Sequence, residues 1–270
     1  MRILIATGGA PHSDKAVRLG GYVAEAIGAS VTLLTVVKNE ARRAQGEAIL
    51  ERAATLLPKA INLEKKLRAG HAAGEIVREA RERNVDMLVL GQSVRRGLPR
   101  RILAPVLERV LDRLPCPVLV AQGRIRRPER ILLCEGGRAP SLLDRLVAQL
   151  NPLPADAETV IVLHVMSQMA AGPGVRAWEL NAGAEELIQE ATPVGKVLKQ
   201  DLEQLEQMQV ERRAKVRHGL VVKEVLNEAR SGDYDLIVIG ANQGSRWQRF
   251  LVEDVARLIV RYAGRPVLVL

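Results

Sequence analysis

Aromatic residues are scarce in this 270-residue chain, at 2% of the sequence. Surfaces that bind single-stranded nucleic acid stack bases on aromatic side chains, so the composition argues against such a surface. Cysteine is equally scarce, because only Cys116 and Cys134 occur, each in an apolar run and without CxxC or Cys/His spacing. This argues against disulfides and structural zinc and predicts a protein of the reducing cytoplasm.

Long apolar runs are also missing. The opening MRILIATGG has one basic residue and too short an apolar core for a signal peptide, and no later run reaches membrane-spanning length. The sequence therefore predicts a soluble cytoplasmic protein with no membrane insertion.

Positive charge is in excess, with a formal net charge of +9. Such a charge attracts polyanions in general. Most arginines, however, alternate with Glu or Asp along helical stretches such as EIVREARER, as on ordinary solvated helix faces. We therefore predict no nucleic-acid partner.

Two long segments of the chain repeat each other. GHAAGEIVREARERNVDMLVLG, from Gly70 to Gly91, aligns without a gap with GLVVKEVLNEARSGDYDLIVIG, from Gly219 to Gly240. The starts RILIATGGAP and RILLCEGGRAP also match, and so do the ends PCPVLV and GRPVLV. Matched residues in the long repeat include the pairs Glu75 and Glu224, Glu79 and Glu228, and Asp86 and Asp235. The chain therefore holds two copies of one fold.

The repeat sets the predicted domain limits. The first domain covers residues 1–122, a linker rich in Gly, Pro and basic residues covers 123–129, and the second domain covers 130–270. The second domain carries an insertion over about 167–208, which includes Trp178 and an amphipathic stretch predicted to be helical from Ala184 to Met208.

Apolar runs alternate with stretches of helical period in each half, which predicts an α/β fold with parallel strands and helices on both faces. In the first half the predicted strands are RILIAT, SVTLLTVV, a weaker INLEKKL, DMLVLG and PVLVA. The predicted helices are Ser13–Ile27, Glu40–Leu57, Gly74–Asn84 and Pro105–Leu114.

The sequence has no motif or residue spacing typical of a catalytic or metal-binding site. The four histidines occupy no equivalent repeat positions and have no HxxxH or HExxH spacing, and there is no GxSxG motif. Cys116 precedes a buried strand, where a thiol is usually inert. Asp86 and Asp235 stand at strand starts and are predicted to bind backbone N–H groups. We expect neither an enzyme nor a metal site.

The repeat and the motifs within it resemble those of the universal stress protein family in its tandem, two-domain form. The resemblance rests on His12 and Ser13 after the first turn, on the motif from Gly70 to Gly91, and on the block GLPRRILAPVLERVLDRLPCPVLV from Gly97 to Val120. It implies two doubly wound, five-stranded parallel sheets of strand order 3-2-1-4-5, paired with pseudo-twofold symmetry through their last strands. It also implies, in many members, a bound adenine nucleotide.

The family's nucleotide loop has the form G-x2-G-x9-G-[ST], and this chain departs from it. The first half reads Gly91, Val94, Ala104 and Pro105 at the four positions. The second half reads Gly240, Gln243, Glu253 and Asp254. Proline removes an N–H donor, and carboxylates repel phosphate.

Nucleotide-binding members also carry an Asp at the end of the first strand, where this chain has Gly8 and Gly136. The resemblance therefore predicts degenerate nucleotide sites and no cofactor of the usual kind. The alternative is that the first half binds ATP or another adenine nucleotide through backbone and arginines. The nucleotide would lie in the crevice between the loops after the first and fourth strands, where the strand order reverses. Its candidate residues are Gly8, Gly9, Gly91, Ser93, Arg95, Arg96 and Gly97.

Two main functions follow. The first is a non-catalytic stress-response or regulatory protein that acts through protein interaction, with the insertion as its distinctive surface. The second is a nucleotide-binding sensor that uses the first domain. A third, weaker alternative is an accessory unit at the cytosolic face of a transporter. The sequence does not identify the protein partner, and it leaves a homodimer open beside the internal pair.

Overall fold

The structure is a computed structural model that describes residues 1–92, 105–113, 116–167, 176–241 and 255–270. The chain forms two compact units, Met1–Arg127 with Gly264–Leu268 and Pro128–Ala263 with Val269–Leu270. We call residues 1–127 the first half and residues 128–270 the second half. The predicted domain limits and the pairing of the domains through their last strands stay predictions.

Strands and helices alternate in the first half, which confirms the α/β prediction. The strands are β1 (Arg2–Ala6), β2 (Ser30–Val37), β3 (Leu63–Ala69), β4 (Met87–Gly91) and β5 (Val118–Ala121). The helices are α1 (Pro11–Ala26), α2 (Arg43–Ala54) after a 3-10 turn (Glu40–Arg42), α3 (Ala72–Glu82) and α4 (Pro105–Arg113).

The strands of the first half are parallel and lie in the order β3-β2-β1-β4-β5. Central strands are apolar throughout because helices cover both faces of the sheet, and residues 3–6 of β1 are all buried. The edge strand β3 reads LEKKLRA and is only partly buried. Charges on an edge strand oppose pairing with other chains, which explains why this strand has the weakest apolar pattern.

The second half repeats this architecture. Its strands are β6 (Arg130–Glu135), β7 (Thr159–Met166), β8 (Glu211–His218), β9 (Leu236–Ile239) and β10 (Val267–Val269), in the order β10-β9-β6-β7-β8. Its helices are α5 (Leu142–Leu150), α6 (Pro152–Ala155), α7 (Ala184–Gln189), α8 (Pro193–Gln207), α9 (Val221–Ser231) and α10 (Val255–Tyr262), with a 3-10 turn at Ala177–Leu180.

The predicted helix from Ala184 to Met208 is wrong as a single element, because it is divided into α7 and α8. Ala191 has a positive φ of 48°, and Thr192 caps α8 by accepting a hydrogen bond from the Gly195 N–H at 3.0 Å. Pro193 then starts α8, where its missing N–H costs nothing. Helix α8 lies between β7 and β8 in the chain, as α2 lies between β2 and β3, so α7 is the additional helix of this segment.

The segment from the 3-10 turn to the start of α8 shares a small core with the ends of β7 and β8. Met166, Ala182 and Leu187 are buried together, and Trp178, Leu180, Val194 and Val216 pack against them. The His218 ring lies 3.1 Å from the Ala182 carbonyl oxygen. The insertion is therefore packed onto the end of β7 and β8.

The aspartates before the fourth strand of each half have the predicted role. A carboxylate oxygen of Asp86 accepts a hydrogen bond from the Arg2 N–H at 2.7 Å, and Asp235 accepts one from the Arg130 N–H at 3.1 Å. Each aspartate thereby ties the start of its half's first strand to the fourth strand. Their repetition has a structural reason.

No described helix is both long enough and apolar enough to cross a membrane.

Candidate ligand crevices

In each half a crevice opens where the strand order reverses. The helices that follow the first and fourth strands leave on opposite faces of the sheet, so the loops after these strands diverge at the carboxyl ends. In the first half the loops follow β1 and β4, and in the second half they follow β6 and β9. These are the positions at which the sequence predicts the sites.

The glycine turn of the first half is held by neutral hydroxyl groups. The Gly8 N–H reaches the Ser13 hydroxyl oxygen and the Gly9 N–H reaches the Thr7 hydroxyl oxygen, each at 3.4 Å. The Ser13 hydroxyl donates to the Ala10 carbonyl at 2.7 Å. Gly9 has a φ of 75°, which favours glycine whether or not a ligand binds.

A basic side chain lies beside this turn. Arg52 of α2 donates to the Gly9 carbonyl oxygen at 2.8 Å and to a carboxylate oxygen of Asp14 at 2.7 Å. The first-half turn therefore has an Arg52–Asp14 pair next to it, and within the described ranges only hydroxyl oxygens receive the N–H bonds of Gly8 and Gly9.

Gly91 serves packing in this structure. A Cβ at Gly91 would lie 2.0 Å from the His12 carbonyl oxygen, which is backbone of the first turn of α1. The equivalent Gly240 has only a flexible side-chain atom so near, since its Cβ would lie 3.1 Å from Arg145 Nη1. The need for glycine at Gly91 is explained by strand-to-helix contact.

The other predicted site residues lie outside the described residues. Gly8, Gly9 and Gly91 are described: Gly8 and Gly9 follow β1, and Gly91 ends the neighbouring strand β4. Ser93, Arg95, Arg96 and Gly97 are not described. Of the linker arginines, Arg127 lies over the Tyr22 ring at 5.6 Å and pairs with Glu25, so it contacts α1.

The glycine turn of the second half is closed by a carboxylate. Glu135 is the last residue of β6, and its two oxygens accept hydrogen bonds from the Gly137 N–H at 2.8 Å and the Leu142 N–H at 2.6 Å. Burial raises the pKa of Glu135, while the backbone N–H groups around it act in the opposite direction. The N–H groups that a phosphate would use at the start of α5 are thus already bound to an internal anion.

The two halves keep one further contact in common. The Thr35 hydroxyl donates to the Thr7 carbonyl at 3.0 Å, and His164 Nδ1 lies 3.0 Å from the Glu135 carbonyl oxygen. A carbonyl only accepts, so His164 carries its proton on Nδ1. Burial lowers the pKa of His164, which keeps the ring neutral at neutral pH.

A cavity of about 750 Å³ lies at the second-half crevice. Its walls come from the turn after β6, from the ends of β7 and β9, and from α8, α9 and α10. Glu179 and Val194 of the insertion contribute to the lining. Arg138 and Arg145 line it as well, and Arg145 reaches the end of β9 at Gly240.

The sequence reasoning missed Glu135 and Arg145, which both line the second-half cavity. A signal for Glu135 was present, since CEGG replaces ATGG when the two glycine turns are aligned. Nothing in the spacing of Arg145 marks it, because its position in the crevice depends on the packing of α5 beside β9.

The two cysteine thiols are not activated as nucleophiles. Both cysteines are free, and burial raises the pKa of the Cys116 thiol to about 12 and that of Cys134 further still. Thiols with raised pKa values are poor nucleophiles at neutral pH. Among the described residues, no group of three or more His, Cys, Asp or Glu side chains is placed to hold a metal ion.

Solved structures of known proteins match this fold over nearly the whole chain. A universal stress protein of Archaeoglobus fulgidus matches the structure with a TM-score of 0.67 and 18% identity, over 99% of this chain and 97% of that one. A putative universal stress protein of Pseudomonas aeruginosa matches with a TM-score of 0.68 and 16% identity, over 100% of this chain and 92% of that one. At such identities the likeness shows the fold.

Sequence comparison gives the family. A universal stress protein of Methanocaldococcus jannaschii is 33% identical over 70 residues, which are 26% of this chain and 39% of that protein, well under two thirds of its length. The model of the universal stress protein family matches residues 1–122 and 139–270. The two matched segments take up nearly all of both halves, and this chain therefore belongs to the universal stress protein family, as a tandem pair of its domains.

Proposed function

We propose that this universal stress protein is a non-catalytic regulatory protein of the cytoplasm, and that it acts through protein interaction rather than through a bound nucleotide. The observation that carries the proposal is the Glu135 carboxylate, which accepts the N–H bonds of the second-half turn. A phosphate at this turn would have to displace a carboxylate and lie beside it. Both changes oppose binding, because like charges repel and the N–H groups lose a partner.

The first half supports the proposal less strongly and keeps the alternative open. Its turn N–H groups make long bonds to hydroxyl oxygens, and Arg52 lies beside them. Arg52 also pairs with Asp14, but a turn whose N–H groups bond to neutral hydroxyls opposes an anion less than a turn closed by a carboxylate. The alternative function is therefore an adenine nucleotide sensor in the first half, with Arg95 and Arg96 as proposed phosphate ligands.

The insertion supplies a surface for a partner. Helix α7 and the residue after it expose three glutamates, Glu185, Glu186 and Glu190, which make no ion pair within the described ranges. An acidic surface on a chain of net charge +9 is a local exception. It favours a partner with a basic surface through complementary potentials.

Nucleotide binding is tested by analysis of the purified protein. We expect that denaturation releases no stoichiometric nucleotide, and that calorimetric titration with ATP and AMP gives a Kd above roughly 1 mM. Inorganic phosphate titrated into the Glu135→Thr variant, which copies Thr7 of the first half, should bind roughly tenfold more tightly than to the unchanged protein.

The outcomes of this test are distinct. Micromolar ATP binding that Arg95→Ala and Arg96→Ala weaken would establish the first-half sensor. Phosphate affinity that Glu135→Thr leaves unchanged, in a variant with an unaltered circular dichroism spectrum, would contradict the role given to the carboxylate.

Protein interaction is tested by charge reversal on the acidic surface. We expect that affinity purification from cells recovers a partner with the unchanged protein, and that Glu185→Lys, Glu186→Lys and Glu190→Lys together reduce its recovery at least roughly tenfold, because each reversal turns attraction into repulsion.

The matched control makes the same charge change in the first half, at the exposed Glu40, Glu47 and Glu51. Equal loss with both triple variants would point to net charge rather than to α7. Undiminished recovery with the α7 variant would exclude this surface.

A further inference from the structure

The cavity of the second half combines an apolar wall with two arginine side chains that have no ion pair among the described residues. Its volume of about 750 Å³ lies within the range of small-molecule sites. The apolar part of the wall includes Leu163, Val194, Val221, Val225, Ile239 and Ile259. This wall requires a ligand with an apolar body.

Among the described residues of the lining, the acidic groups already have hydrogen-bond or ion-pair partners. Glu135 binds backbone N–H groups of the turn, as described above. Glu179 pairs with Arg176 at 3.0 Å and accepts a hydrogen bond from its backbone N–H at 3.3 Å. Neutral His164 adds no charge. None of these groups provides a free counter-charge for a cationic ligand.

The basic groups of the lining, in contrast to the acidic ones, lack such partners among the described residues. Within the part of the chain that the structure describes, the side chains of Arg138 and Arg145 have neither an ion pair nor a hydrogen bond. Arg145 is half-buried on α5, and the absence of a Cβ at Gly240 lets its Nη1 approach the end of β9. A guanidinium that is partly removed from water favours a carboxylate, which it binds with two parallel hydrogen bonds.

From these contacts we infer that the second-half crevice binds a small amphipathic carboxylate. Arg145 binds the carboxylate group, Arg138 adds positive potential at the turn, and the apolar wall takes the body of the ligand. The ligand lies beside the Glu135-closed turn without using its N–H groups, so its site differs from a phosphate site. The inference goes beyond the proposed interaction role and does not depend on it.

Octanoate is a suitable probe because it joins one carboxylate to an apolar chain. We expect octanoate to displace the fluorescent anion anilinonaphthalene sulfonate from the unchanged full-length protein, and octanol of the same length to bind at least roughly tenfold more weakly. Arg145→Gln should lower octanoate affinity roughly tenfold and leave octanol affinity unchanged, because only the charged contact is lost.

Lys223→Gln is the matched control, since Lys223 is exposed on α9 and its replacement changes the net charge of the same half equally. Equal octanoate affinity in Arg145→Gln and the unchanged protein would overturn the inference, and so would tighter binding of octylamine than of octanoate. Displacement of the dye by ATP at micromolar concentration would instead contradict the proposed loss of nucleotide binding, so the two failures are distinguishable.

Discussion

Replacement of Asp201 by asparagine is expected to stabilise the second half by about 4 kcal/mol near pH 8 and by almost nothing near pH 4. Asp201 lies on α8 with 0% of its surface exposed, and neither carboxylate oxygen has a hydrogen-bond partner of normal geometry among the described residues. Burial raises its pKa to about 7, and the nearby Glu135 and Asp144 act in the same direction against the Ser141 hydroxyl.

The pH dependence follows from the direction of this shift. The unfolded chain releases the Asp201 proton near pH 3.8, while the folded chain holds it to about pH 7. The folded state therefore loses stability as the pH rises between these values, and the loss is complete above pH 7. An asparagine has no proton to lose and removes the effect.

Urea unfolding followed by tryptophan fluorescence measures the effect in the relevant half, because both tryptophans, Trp178 and Trp247, belong to the second half. Glu203→Gln on the same helix is the control, since its side chain is 58% exposed. If Asp201→Asn raised the free energy of unfolding equally at both pH values, the effect would not come from titration of Asp201. If the variant were less stable near pH 8, the buried Asp201 charge would not be destabilising.

Replacement of Glu228 by glutamine should have the opposite effect and lower the free energy of unfolding by about 3 kcal/mol near pH 7. The Glu228 carboxylate is buried on α9 and is held by Lys215 at 2.8 Å, by Arg217 at 2.7 Å and by the Tyr234 hydroxyl at 2.5 Å. Burial opposes its ionisation, but Lys215, Tyr234 and Arg217 outweigh burial and lower the pKa to about 2.

A lowered pKa gives stability that is present above pH 4.5, the value of the unfolded chain, and is lost as the pH falls toward 2. The difference in free energy of unfolding between Glu228→Gln and the unchanged protein should therefore become smaller below about pH 4.5. The corresponding difference for Asp201→Asn has also nearly vanished in this range. Glu224→Gln serves as control, because its oxygen lies 3.6 Å from Arg217 and a weaker effect is expected. A pH-independent difference for Glu228→Gln would show that packing, and not charge, stabilises this position.

The same arrangement recurs in the first half. Glu79, the repeat partner of Glu228, is buried and pairs with Arg68 and Arg83. Arg68 and Arg217 each come from the third strand of their half. The repeated glutamates therefore tie the helix before the fourth strand to the third strand, and their recurrence is structural. Asp201, in contrast, has no ion-pair partner among the described residues and lies near Glu135 of the second-half turn.

The sequence by itself determined the fold, the family and the two-copy organisation. Apolar runs and the helical period are local patterns, so they predict β1 to β5, and the repeat extends the same alternation to the second half. The Asp86 and Asp235 contacts follow from their place at strand starts. The break of the inserted helix at Thr192 and Pro193 is also local, and it was missed because the amphipathic pattern continues across it.

Only the tertiary structure decided the state of the second crevice. Glu135 is adjacent to its turn in sequence, but the N–H groups it binds converge only when α5 is placed against β6. Arg145 and Gly240 are distant in the chain and meet only because the strand order reverses between β6 and β9. Asp201 reaches its neighbours through the packing of α8. Distances between side chains on separate elements decide hydrogen bonds, pKa values and ligand charge, and sequence periodicity carries no such distances.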